Sequence, residues 1–240
     1  MSKKGYTHII TILDRSGSMN SIRDDMQGGF NDFVKNQKDV DGEATMTLAQ
    51  FDSEYEVVYN DTDIAEVPEL VLQPRGATAL LDAMGRTLTT ERDRIKDMEE
   101  DDQPEKIICV IITDGQENAS REYNRKRIFD MIKNLEDEED PQWDFVFLGA
   151  NQDAIAEGGS LGMRAASTMT YDASSDGTRC AFMSLSKSVS DYRGATKGKR
   201  YAFSDKDRED QEELLKKSAK KFGKAIPSCI TDLSTTVTTE

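Results

Sequence analysis

The sequence predicts an α/β fold, a three-layer Rossmann-like arrangement with a mostly parallel central sheet, one antiparallel edge strand and helices on both faces. Short β-branched runs alternate with segments of helical period along most of the chain, and parallel neighbours joined by crossovers follow from that alternation. The run KIICVIIT (106–113) holds a continuous apolar stretch, as strands covered on both faces do. Two further runs, ATMTLAQF and YEVVYN, flank the short DSE stretch and read as a hairpin at one edge.

The elements follow in order. THIITIL (7–13) is a short central strand that ends at an acid. Ile22, Met26, Phe30 and Phe33 recur at helical spacing and define a buried stripe, in which Gly28 and Gly29 predict the close approach of a neighbour. After the hairpin an irregular segment from Asp61 to Gly76 holds Pro68 and Pro74. Leu81, Met84 and Leu88 mark the next helix, and DDQPE breaks the chain before the apolar strand. Ile128, Ile132 and Leu135 mark another helix, WDFVFLGA a strand, ASTMTY a weaker strand, and Phe182, Leu185, Val189 and Tyr192 the last helix of the alternation.

Composition changes after Arg193. The sequence therefore divides into a domain over 1–193 and a C-terminal extension over 194–240. REDQEELLKKSAKKFG in that extension has the charge order the helix dipole favours, and Leu215, Ala219 and Phe222 share a face that predicts folding back onto the domain. The final TDLSTTVTTE is polar and is expected to fray.

Of the 240 residues, 36% are hydrophobic and 32% charged, and the net charge is −15. Such a balance excludes a duplex nucleic-acid binder, which needs a dominant basic face. No apolar stretch approaches the roughly 18 residues of a membrane span, and the polar MSKKGYTH lead predicts no signal peptide. Cys109, Cys180 and Cys229 are scattered and fit free thiols of a reducing compartment better than disulfides or a zinc site. The expected location is cytoplasmic, without a membrane anchor.

LDRSGSM (13–19) leaves the first strand through a carboxylate and two hydroxyls on alternating positions. An extended loop aims Asp14, Ser16 and Ser18 the same way. Asp114, in ITDG, ends the long apolar strand. In a doubly wound sheet ligands bind beyond the carboxyl ends of the strands, where the winding reverses. If the two strands are neighbours there, the two acids converge and repel, a conflict that a divalent cation removes. Oxygen ligands suit a hard ion, magnesium first, with manganese or calcium as alternatives. With His8 the sole histidine, no zinc set of the usual kind is present.

DRSGS, the later GAT and ITDG resemble the von Willebrand factor A (vWA) domain and its metal-ion-dependent adhesion site, over roughly residues 6–193. The resemblance assigns the metal to Asp14, Ser16, Ser18, Thr78 and Asp114, with every motif position present. SGSM and FVFLGANQDAIAEG look most like stand-alone bacterial or phage members. The resemblance implies a non-enzymatic protein-binding module, in which an aspartate or glutamate of a partner protein completes the metal's ligands. It also implies that Thr78 and Asp114 can switch between direct and water-mediated contact.

Plainer roles compete at several positions. Ser18 is expected to cap the first helix as well. Asp82 reads as an exposed helix acid rather than a sixth ligand, and Arg75 as a candidate contact for an acidic partner. His8 and Trp143 read as packing residues. Two other functions remain open: a magnesium-dependent phosphoryl-transfer enzyme of haloacid-dehalogenase type, and a structural component of a phage particle or other assembly. The first needs a second aspartate two positions after Asp14, where this chain has Ser16.

Overall fold

A computed structural model describes residues 1–150 and 152–222. Six strands form one sheet: β1 (Lys3–Asp14), β2 (Glu43–Phe51), β3 (Tyr55–Asp63), β4 (Pro104–Thr113), β5 (Gln142–Ala150) and β6 (Thr168–Tyr171). Their order is β3-β2-β1-β4-β5-β6. The β2–β1, β1–β4, β4–β5 and β5–β6 pairs are parallel, and the β2–β3 hairpin supplies the antiparallel edge. The winding reverses between β1 and β4, the neighbours that the site argument requires.

Among the described residues six α-helices surround the sheet: α1 (Arg23–Lys38), α2 (Leu80–Lys96), α3 (Arg125–Glu136), α4 (Ala154–Ser160), α5 (Ser175–Gly194) and α6 (Asp205–Phe222). The period of two along β1 sorts its side chains into two cores. Ile9 and Leu13 join Phe30, Phe33, Phe182 and Leu185 under α1 and α5. Ile10 and Ile12 join Met84, Leu88, Ile128 and Ile132 under α2 and α3. This is the predicted three-layer architecture.

Gly29 permits the contact between α1 and α5, since a Cβ there would lie 2.3 Å from the Phe182 ring. Gly28 faces open space, and its expected close neighbour is absent. The seven-residue α4 carries no long apolar stripe, and the sequence reading passed over it. Trp143 is buried and stacks with Phe145. His8 is fully buried, with Nδ1 2.7 Å from Thr45 Oγ1 and Nε2 3.0 Å from Glu91 Oε2, a satisfied core residue.

The division at residue 193 falls one residue before the end of α5. Beyond it, Tyr201 and Phe203 are buried in the same core as α1 and α5, and Leu215 of α6 is buried too. The Lys106 ammonium, itself buried, donates to the carbonyls of Tyr192 (2.9 Å), Arg193 (3.2 Å) and Ala195 and so ties down the end of α5. Arg208 of α6 donates to the carbonyls of Thr168, Ala165 and Ala166 at the start of β6. The Phe222 side chain, Cys229 and the polar C-terminal stretch lie outside the described residues. Cys109 and Cys180 are free thiols. No described helix is long and apolar enough to cross a membrane.

Candidate metal centre

Leu13 pairs with Ile112, so β1 and β4 end side by side and deliver Asp14 and Asp114 to one rim of the sheet. Asp14 is fully buried. Its Oδ1 accepts the Ser16 N–H at 2.6 Å and its Oδ2 accepts the Thr113 hydroxyl at 2.6 Å. Burial pushes its carboxyl up to about 6 in spite of those donors, with the charge of Asp114 adding to the effect. Burial also raises the Asp114 carboxyl, against the Ser18 hydroxyl.

Ser16 and Ser18 lie with their Oγ atoms 3.0 Å apart, and Ser18 Oγ donates to Asp114 Oδ1 at 2.6 Å. Ser18 is therefore not a helix cap. The residue at the cap of the short 3-10 turn Gly17–Ile22 is Ser16, and its side chain makes no capping bond. Ser18 turns instead to Asp114, and Ser16 to Ser18 and Asp14, because a carboxylate competes for a hydroxyl more strongly than a neutral group does.

Thr78 reaches the same rim from the loop before α2. A Cβ at Gly115 would lie 3.0 Å from Thr78 Oγ1 and 3.5 Å from Ser18 Oγ, so glycine leaves the space between Asp114 and the two hydroxyls clear. The loop is anchored by Arg75 N–H to the Arg15 carbonyl (2.7 Å) and by Gly17 N–H to the Gly76 carbonyl (3.2 Å). Among the described residues, neither Asp14 nor Asp114 forms an ion pair; hydroxyls and N–H groups alone contact them. No three His, Cys, Asp or Glu side chains gather to hold a metal among the described residues. The donor set at the rim has a different make-up, two carboxylates and three hydroxyls, and it fits a hard divalent cation.

Arg15 and Arg75 both lean on Asp52, with each Nε 2.9 Å from Oδ2. Arg15 continues to Glu56 at 2.5 Å and Arg75 to Glu54 at 2.6 Å. Arg75 thus stands half-exposed at the rim with its charge already shared between two acids.

No family model matches the sequence, and no curated protein matches it. Solved structures do. Proximal thread matrix protein 1 from the mussel byssus superposes with a TM-score of 0.56 at 16% identity, over 76% of this chain and 46% of that one. A second structure of the mussel protein, with a zinc-occupied MIDAS motif, gives 0.55 at 17% identity, over 78% of this chain and 46% of that one. The ArnB paralog VWA2 of Sulfolobus acidocaldarius gives 0.50 at 14% identity, over 75% of this chain and 44% of that one. This chain has the von Willebrand factor A fold. It spans less than half the length of those vWA structures.

Sequence reasoning missed three residues that support this vWA rim. Asp82 is largely buried, and its carboxylate accepts the N–H groups of Arg121 (2.8 Å), Glu122 (2.9 Å) and Tyr123 (2.9 Å). It is a loop anchor, which corrects the expectation of an exposed acid. Asn118 binds Thr78, as described below. Tyr171, at the end of β6, is buried, and its hydroxyl has no hydrogen-bond partner among the described residues. Burial raises its phenol well above the ordinary range, and the charges of Asp114 and Asp14 add to that. A helical acid, a loop amide and a strand tyrosine carry no spacing signal that could have marked them.

Proposed function

We propose that the chain is a divalent-cation-dependent protein-binding module. Asp14, Ser16, Ser18, Thr78 and Asp114 hold the ion, and an aspartate or glutamate of a partner protein completes its oxygen ligands. The observation that supports this best is the meeting of a buried and a partly buried carboxylate with three hydroxyls at the switch point, with no ion pair to either acid among the described residues. Magnesium is the expected ion, with manganese and calcium as alternatives. Zinc joins them because the mussel protein takes zinc at its own motif.

Bound there, the cation supplies positive charge that draws in a carboxylate. The protein's own groups set how much of that charge is left. Two carboxylates match the ion's formal charge, while three neutral hydroxyls would leave it electrophilic and one position of a six-coordinate ion open to an external carboxylate. Thr113 and the Ser16 N–H fix the Asp14 carboxylate, and Ser18 fixes Asp114. Arg75 contributes at the edge of the rim by exchanging Glu54 for a carboxylate of the partner.

This reading is of a binding module rather than an enzyme, since Ser16 stands where a haloacid-dehalogenase-type hydrolase places its general acid. A purely structural role in an assembly would leave partner association intact on chelation, whereas the proposed module releases its partner. A cytoplasmic setting in a bacterium, or in a cell infected by a phage that encodes the protein, belongs to the same proposal. Melting curves with MgCl2, MnCl2 or EDTA test it. The divalent ions are expected to raise Tm for the native chain and not for Asp14→Ala. A curve indifferent to both ions contradicts it, and hydrolysis of a generic phosphate ester, abolished by Asp14→Asn, would favour the enzyme.

A further inference from the structure

The first turn of α2 cannot cap itself. Its cap position is Ala79, which offers no side-chain acceptor. The loop that follows Asp114 does the capping instead. Glu117 Oε2 accepts the Leu81 N–H at 2.9 Å, and Ser120 Oγ accepts the Asp82 N–H at 3.0 Å. Asp82 returns the contact by accepting the three N–H groups of Arg121, Glu122 and Tyr123. Within this clasp Asn118 grips Thr78 from both sides. Its Oδ1 accepts the Thr78 N–H at 3.0 Å, and its own N–H donates to the Thr78 carbonyl at 3.0 Å.

Thr78 is the one candidate ligand that lies far in sequence from both strand ends carrying the acids. Asn118 sits four residues after Asp114, so its paired bonds lock the Thr78 backbone to the loop that presents Asp114. Gly115, between them, leaves the Thr78 hydroxyl room to face the rim. We propose that Asn118 is a positioning residue of the candidate metal site, holding Thr78 at a fixed place relative to Asp114. The proposal rests on the metal-binding reading above.

The test is Mn2+ titration of the full chain by calorimetry, with Tm measured separately in EDTA. Residues that orient metal ligands typically govern affinity by about 10- to 100-fold, and Asn118→Ala is expected to raise the Kd for Mn2+ by about tenfold. Asn118→Asp keeps an oxygen for the Thr78 N–H and is expected to bind at least as tightly as the native chain. In a Thr78→Val background, Asn118→Ala is expected to add less than about twofold, because it acts through the Thr78 hydroxyl. A purely structural role would lower Tm in EDTA and leave the Kd unchanged. The inference is overturned if Asn118→Ala binds Mn2+ like the native chain, or if the two losses multiply in the double variant. A native chain that binds no Mn2+ removes the metal reading itself, and the inference with it.

Discussion

The Ser18 hydroxyl donates to Asp114 Oδ1 at 2.6 Å across 96 residues of sequence. The contact exists because β1 and β4 pair in parallel and end together, so a loop leaving one strand meets the acid ending the other. Ser18→Ala removes a hydroxyl from the rim and leaves the Asp114 carboxylate, raised by burial, without its donor. The rise in Tm caused by MgCl2 is expected to fall to less than half its native size in Ser18→Ala. An unchanged rise would place Ser18 outside the site.

Tyr171 has an opposite signature. Its buried hydroxyl lacks a partner among the described residues, and a buried polar group left unmade costs stability. Tyr171→Phe is expected to stabilise the metal-free chain by about 1 kcal/mol, roughly 2–4 °C in Tm for a domain of this size. Thermal melts in EDTA measure it. A drop in Tm would mean that the hydroxyl is satisfied in solution.

Asp82 gives the rim a defined acid response. Burial alone would raise its carboxyl, but the N–H groups of Arg121, Tyr123 and Glu122 outweigh burial and hold it below its ordinary value. A lowered carboxylate contributes stability that is fully present above the ordinary range near pH 4 and is lost as pH falls through the folded value. Native protein is therefore expected to be more stable than Asp82→Asn from about pH 5 to 8, with the gap closing as pH drops below about 4. Urea midpoints across pH check this. A gap that stays constant with pH would show that the carboxylate's charge does not matter. Asp52 works in the same direction, held low by Arg75, the Glu54 N–H and Arg15 against its burial.

Lys106 joins the body to the segment after α5. Removing its ammonium leaves buried carbonyls at the end of that helix short of a donor. Lys106→Met is expected to cost about 2–3 kcal/mol in urea unfolding and to speed amide exchange over residues 195–204. Unchanged exchange would show that this segment is held by other contacts, such as Arg200 to the Trp143 and Glu136 carbonyls.

The alternation of β-branched runs with helical stripes was enough to predict the sheet and its edge hairpin, because burial on two faces leaves a continuous apolar signature in β4 and the short DSE turn joins β2 to β3. DRSGS and ITDG pointed to the rim because both stand where strands end. What stayed hidden depends on contacts between distant segments. Asp82 has the spacing of any helical acid, and only the fold brings three backbone donors from residues 121–123 to it. Ser18 fits a helix cap until Asp114 arrives to accept its hydrogen bond. Asn118 lies in a loop with no period, and only the fold brings it to the Thr78 N–H and carbonyl. The packing of Tyr201 and Phe203 was hidden because the composition shift after Arg193 marks a change in surface character, while two aromatic side chains decide where the segment lies.

Anomalous diffraction from crystals grown with MnCl2 tests the central claim most directly. The account predicts one strong manganese peak at the β1–β4 rim, within ligand distance of oxygens from Ser16, Ser18 and at least one of Asp14, Thr78 and Asp114. A map with no peak there at saturating manganese, and those side chains still bonded to one another, would contradict it.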